Sequence, residues 1–286
     1  MLVGLLMVAG GAAAGLFGSL LGLGGGVLIV PLLTLGFGLP LREAVGVSLV
    51  SVIMTSSAAA GVYLERHVAN LRLGMTLELF TATGALIGGS IAFLLDPRLL
   101  SFLFAALLGY VALTMAQAGR PRSAAAALLP VADPAADATF AADATPAVAP
   151  TRGSILEQLS GQDYRVRNLG RGIVGATFAG VVSALLGIGG GIVKVPLMNL
   201  AMGVPLRVAT ATSNLMIGIT AAASAVIYVI HGGINPYAAG PTAIGVFLGA
   251  TAGSRLGHRV DLRVLRLLFV VILLYTAFQM LLKAIG

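Results

Sequence analysis

Hydrophobic positions run almost without interruption along this chain, and what divides them is glycine, proline and short charged turns. Residues 1–39 carry no charged side chain, a run too long for one bilayer-crossing helix of about 20 residues. The run is interrupted at Gly22 to Gly26 and again at Pro31. Glycine weakens a helix and proline lacks the donor that continues one, so the pattern predicts a helix, a break and a second, shorter helix running back. Arg42 and Glu43 mark the far end of this broken hairpin, and residues 44–64 are then long enough to cross.

Glu65, Arg66, His67 and Arg72 form a polar connection in which Asn70 stands where it would cap the next helix, over about residues 74–95. Asp96-Pro97-Arg98 reads as a short turn before a further crossing at 99–118. The plan then repeats. Residues 170–204 form a second broken hairpin, 206–230 cross, His231 to Pro236 turn, and 237–253 and 262–282 cross.

The repetition is explicit in the residues. Gly22-Leu23-Gly24-Gly25-Gly26-Val27-Leu28-Ile29-Val30-Pro31 returns 165 positions later as Gly187-Ile188-Gly189-Gly190-Gly191-Ile192-Val193-Lys194-Val195-Pro196. Around it Pro40-Leu41-Arg42 meets Pro205-Leu206-Arg207, and Ser48, Thr55 and Tyr63 meet Ser213, Thr220 and Tyr228. The chain is a tandem duplication, with residues 1–119 and 169–286 as its copies. Residues 120–168, rich in Ala, Pro, Asp and Arg, bury too little apolar surface to offset their ordering entropy and read as a flexible cytoplasmic linker.

Composition fixes the solvent. Fifty-eight per cent of residues are hydrophobic and nine per cent charged, against roughly a quarter charged in soluble domains. The chain is therefore expected to be an all-α, multi-pass membrane protein. Its net charge of +7 does not point to nucleic acid, because the arginines stand singly or in small groups at the ends of apolar runs, as in membrane proteins whose cytoplasmic loops are basic. There is no cysteine, so neither a disulfide nor a thiolate metal site is available. The first apolar run lacks a basic leader region and recurs in mid-chain, so it reads as retained rather than cleaved.

Charge also orders the turns. If the arginines at 120, 122, 152, 165, 167 and 171 are cytoplasmic, the cluster Arg255, His258, Arg259, Arg263 and Arg266 belongs on the same side. That holds only if each hairpin returns to the side it entered. Three crossings plus a hairpin without net crossing is an odd unit, so the duplication predicts inverted-topology repeats with both termini external, an architecture of secondary transporters.

Candidate chemistry gathers at the breaks. Each short helix after the glycines starts with unpaired N–H groups and the positive end of its dipole, and glycine lets a ligand approach the backbone. Gly24, Gly25, Gly26, Gly189, Gly190 and Gly191 are thus expected to bind a small anion near mid-membrane. Lys194, the sole lysine among the apolar helices, stands where the first copy has Ile29. It is a candidate ligand or counter-charge, with snorkelling or a carbonyl contact as the alternative. Ser48, Ser213, Thr212 and Asn214 are candidate hydrogen-bond donors, although Ser and Thr also permit close helix packing in lipid. Glu78 is the one carboxylate well inside a crossing. It is a candidate for a coupling proton, a helix-start stabiliser, or a partner of Lys194. No residues at metal-ligand spacing accompany His67 or His231, the Gly-rich stretch lacks a phosphate-loop ending, and no cofactor is expected.

The two copies of Gly-x-Gly-Gly-Gly-x-x-x-x-Pro from Gly22 and Gly187, each followed by Pro-Leu-Arg and an Ala/Ser/Thr-rich helix, resemble the sulfite exporter TauE/SafE family. The resemblance covers both halves and omits the linker. On matched residues it extends to Gly24, Gly25, Gly26, Gly189, Gly190, Gly191, Pro31 and Pro196, and Lys194 lies outside it. It implies a carrier in the cytoplasmic membrane moving small sulfur-containing anions such as sulfite or organosulfonates, often outward. A gated anion channel, a carrier of small carboxylates and, less well supported, an intramembrane enzyme are the alternatives. A coupling proton or cation is left open, as is the oligomeric state.

Overall fold

The computed structural model describes residues 2–21, 25–65, 69–117, 159–160, 164, 166–256 and 262–285, and among them every regular element is helical. The first copy comprises α1 (Leu2–Leu21), α2 (Gly26–Pro31), α3 (Leu41–Glu65), α4 (Leu71–Leu94) and α5 (Pro97–Gln117); the second comprises α6 (Leu169–Leu186), α7 (Gly191–Pro196), α8 (Leu206–Ile230), α9 (Pro236–Leu256) and α10 (Leu262–Ile285). Seven of them, all but α2, α7 and α9, are long and apolar enough to cross a membrane.

The breaks fall where the glycines stand. Gly25 and its counterpart Gly190 adopt left-handed backbone, φ 74° and 76°, which a side chain disfavours, and α2 and α7 start immediately after them. Pro31 and Pro196 differ from expectation. Each sits inside a continuing helix that widens into a single π turn, Leu32–Gly36 and Leu197–Ala201. A proline cannot donate to the carbonyl four residues earlier, and lengthening the repeat accommodates the lost bond without ending the helix. In the first copy Thr34 Oγ1 donates back to Val30 O at 2.9 Å.

Helix starts also follow local chemistry. Asn70 Oδ1 accepts from Leu73 N at 3.0 Å and caps α4 as the sequence suggests. Pro97 and Arg98 belong to the first turn of α5 instead of a free turn, because proline's fixed φ suits the first helical position; Asp96 Oδ1 accepts from Arg98 N at 2.7 Å. At the end of the interval between the copies, Leu159 and Val166 are buried against Leu73, Leu77 and Met202, and Asn70 Nδ2 donates to Leu159 O at 2.9 Å and to Tyr164 Oη at 2.7 Å. The rest of the linker lies outside the described residues.

Helix pairing exchanges the copies. α1 packs on α9 and α6 on α4, while α3 packs on α8 and α5 on α10; swapping each helix for its counterpart leaves this pattern unchanged. Glycine makes the first two contacts. A Cβ on Gly11, Gly15, Gly245, Gly249 or Gly253 would run into the backbone of Thr242, Val246, Val8, Ala12 or Leu16 respectively. Residue numbers climb together across this seam, so α1 and α9 are parallel. Gly84 against Thr177 and Gly88 against Val181 make α4 and α6 parallel in the same way. In contrast, Gly46 lies on Gly233 and Ser56 Oγ donates to Asn214 O at 2.5 Å, so α3 and α8 are antiparallel. Close backbone approach through small residues is how helices associate in lipid, where burial of apolar surface gives no driving force.

Candidate functional site

The two glycine breaks meet. A Cβ on Gly26 would lie 2.7 Å from Gly187 O and 2.8 Å from a Val52 methyl, and one on Gly189 would lie 2.8 Å from Val52 as well. Ser48 Oγ donates to Gly187 O at 2.7 Å, with Gly26 O a further acceptor at 3.3 Å. One hydroxyl therefore ties the start of one short helix to the break of the other. Leu28 N and Ile29 N donate to Gly25 O, and Val193 N and Lys194 N to Gly190 O. Neither short helix carries a side-chain cap at its start.

Ser213 repeats Ser48 only in part. It is fully buried, and a Cβ on Gly191 would lie 3.7 Å from its Oγ, as Ser48 lies against Gly26. Yet among the described residues its hydroxyl has no hydrogen-bond partner. Ser183 Oγ, beside Gly190, is likewise buried and unpartnered there. Four buried hydroxyls lack a bond among the described residues, Thr210 and Thr242 being the others; Ser183 and Ser213 are the two that stand beside the second break, and each forgoes its hydration. The sequence reading missed Ser183 because the first copy has Gly18 at its place; its position four residues before Gly187 was the available signal.

Lys194, 1 % exposed, reaches Glu78 instead of the space between the breaks. Its Nζ donates to Glu78 Oε2 at 3.1 Å and to Thr220 Oγ1 at 2.5 Å. Thr220 Oγ1 in turn donates to Glu78 Oε1 at 2.6 Å, with Met216 O a further acceptor at 3.0 Å. A lysine on α7, a carboxylate on α4 and a hydroxyl on α8 thus close a buried triad with no net charge. Of the readings open for Lys194 and Glu78, this arrangement is the mutual pair. The Lys194 stem runs past Gly190, whose Cβ would lie 3.5 Å from Lys194 Cε, so the triad is one helical turn from the second break.

Other expected residues are placed elsewhere. Thr212 Oγ1 accepts from Asn70 N at 2.9 Å and belongs to the start of α4. Asn214 offers its main-chain carbonyl to Ser56, and its side chain is half-buried. Gly24 lies outside the described residues. Gly25, Gly26, Gly189, Gly190, Gly191, Ser48 and Ser213 are gathered at the meeting of the breaks. Among the described residues no group of three or more His, Cys, Asp or Glu side chains is placed to hold a metal ion.

This chain is similar to known membrane proteins along most of its length. The probable membrane transporter protein YunE of Bacillus subtilis (strain 168) is 25 % identical over 288 residues, covering 98 % of each chain. No solved structure matches. The profile of the family described as sulfite exporter TauE/SafE matches residues 7–280, across both copies and both breaks. This chain, a membrane protein of two paired helical copies, belongs to the sulfite exporter TauE/SafE family.

Proposed function

We propose that this protein is a secondary transporter that carries a small sulfur-containing oxyanion or organosulfonate, sulfite-like in chemistry, across the cytoplasmic membrane by alternating access, in the outward direction. The observation that carries the reading is the buried contact between the two breaks, where Ser48 joins Gly26 and Gly187. The starts of α2 and α7 supply backbone N–H groups free of side-chain caps. An anion favours such a position through both the donors and the dipole. Ser213 and Ser183 are buried hydroxyls in reach of the second break that would gain a partner on binding.

The repeats are read as inverted. α3 and α8 are antiparallel, and the short 231–235 turn reverses the chain again, so α9 follows the direction of α3, and α1, parallel to α9, does too. α4 opposes α3, and α6, parallel to α4, therefore opposes α1. Each member of the second copy then runs against its counterpart. With α1 and α3 codirectional, each hairpin returns before the next crossing, so on this reading the Arg66 and His231 turns face opposite sides, and the basic Arg66 turn is assigned to the inside by its charge. Such paired, broken segments at mid-membrane are the arrangement from which rocking carriers expose one site to each side.

Lys194 supports this reading indirectly. Its charge is balanced by Glu78, so in this state the triad fastens α7 to α4 and α8 while the backbone amides face the anion. A proton taken up by Glu78 would release the pair, which makes Glu78 the coupling residue. The test is flux in proteoliposomes with sulfite, sulfate, thiosulfate, taurine and small carboxylates. Saturable flux with counter-exchange for a sulfur oxyanion is the expected result. Single-channel currents would assign a channel instead, and flux of carboxylates alone would replace the substrate class.

A further inference from the structure

Away from the breaks, at one end of the helical pairing, lies a cavity of about 260 Å³. Its walls come from the start of α3 (Pro40, Arg42), the start of α5 (Pro97, Arg98, Ser101) and the last turn of α10 (Lys283). Three basic residues line it and no acidic one does. Acids stand beside two of them in the sequence, each hydrogen-bonded to a neutral donor: Asp96 Oδ1 accepts from Arg98 N, and Glu43 Oε2 accepts from Asn235 Nδ2 at 3.1 Å. Arg42 is engaged too, donating from Nε to Ala92 O at 3.2 Å and from its terminal nitrogen to Leu95 O. It closes the end of α4 and forms a fixed wall. The Arg98 guanidinium and the Lys283 ammonium have no acidic partner among the described residues.

Two helix starts add to the positive field, since α3 and α5 both begin at this cavity and the positive end of each dipole lies there. Like charges that line one cavity with no acid in its wall repel one another, and an anion between them removes that repulsion. The surroundings decide which anion. Leu94, 85 % exposed, precedes the α4–α5 turn, Leu99 follows Arg98, and Leu282 precedes Lys283; both of these leucines are also exposed. Apolar side chains open to lipid on the same turns as the cations suit a phosphate that carries acyl chains better than one free in water. The device is also written twice in the sequence: Pro40-Leu41-Arg42 with Asp96-Pro97-Arg98 recurs as Pro205-Leu206-Arg207 with Asp261-Leu262-Arg263.

We infer that this cavity is a binding site for the headgroup phosphate of an anionic phospholipid, with Arg98 and Lys283 as its ligands and Arg42 as its fixed wall. Basic pockets between membrane helices bind anionic headgroups by this chemistry. The site is separate from the transport reading and does not rest on it.

Purified full-length protein in detergent tests the inference by native mass spectrometry and thermal melting with phosphatidylglycerol, phosphatidylcholine or inorganic phosphate. Phosphatidylglycerol is expected to be retained and to raise the melting temperature, and the effect to fade with added salt. Arg98→Gln and Lys283→Gln should each weaken retention about tenfold, the loss of one charge-assisted contact, whereas Arg72→Gln, an exposed arginine at the start of α4, should not. Both sites are exposed, and unliganded melting compared with wild type shows whether each variant folds. Retention unchanged in the Arg98→Gln/Lys283→Gln double variant overturns the site. Equal retention of phosphatidylcholine overturns the charge selection, and equal stabilisation by inorganic phosphate reassigns the cavity to a soluble anion.

Discussion

The hydroxyl of Ser48 donates to the main-chain carbonyl of Gly187, 2.7 Å away and 139 residues later in the chain. It is the one side-chain bond described between the two breaks, and its equivalent, Ser213, has no partner among the described residues. The duplicated halves therefore use one matched pair of serines in two ways. Ser48 holds the tips together, and Ser213 has bonding capacity to spare.

Ser48→Ala is expected to destabilise the protein by about 1 kcal/mol, because Gly187 O loses its donor in an apolar setting. Ser213→Ala breaks no described bond and should leave melting nearly unchanged while weakening sulfite-dependent stabilisation. Thermal melting with and without sulfite separates the two. A Ser213→Ala variant with undiminished sulfite response would remove Ser213 from the site.

Lys194 and Glu78 should behave as a unit. Lys194→Met leaves a buried carboxylate without its counter-charge, and Glu78→Gln leaves a buried ammonium, each costing roughly 3–5 kcal/mol. The Lys194→Met/Glu78→Gln double variant removes both charges and should be more stable than the sum of the single effects predicts, measured as a double-mutant cycle by denaturation in detergent. Additive losses would mean that the pair does not hold α7 to α4. If Glu78 carries the coupling proton, Glu78→Gln retains counter-exchange of substrate but loses uptake driven by a pH gradient.

Glycine substitutions should sort by what a Cβ meets. Gly88→Val drives a side chain into the Val181 backbone and should cost 1–3 kcal/mol or more, as overpacking does. At Gly109 nothing lies within 4 Å, so Gly109→Ala should be neutral or stabilise by up to about 1 kcal/mol through helix propensity. Melting temperatures of the two variants check the seam between α4 and α6.

The direction of each copy can be read chemically. The chain has no cysteine, so Arg66→Cys and His231→Cys each introduce a single thiol. An impermeant maleimide applied to intact cells should label the cysteine at 231 and spare the one at 66. Labelling of both from the same side would overturn the inverted arrangement.

Class, duplication and breaks were legible in the residues alone. Fifty-eight per cent hydrophobic residues with nine per cent charged leave lipid as the solvent, and the recurrence of Gly-x-Gly-Gly-Gly marks both hairpins because only glycine adopts the left-handed turns at Gly25 and Gly190 without strain. Asn70 as a cap was legible for a similar reason, since capping depends on neighbours within one turn. Local chemistry shows in local sequence.

Which residues meet follows from the packing of the helices and could not be read from the chain. That Lys194 faces Glu78, that Ser48 spans both breaks, and that Thr212 serves the start of α4 depend in every case on residues more than a hundred positions apart and on helix rotation. Lipid exposure and burial are both apolar here, so the hydrophobic pattern that marks the inner face of a water-soluble helix carries little information about rotation. The glycine seams supply it instead, because backbone contact is possible only where the Cβ is missing, and the seams become visible only once α1 lies on α9 and α4 on α6.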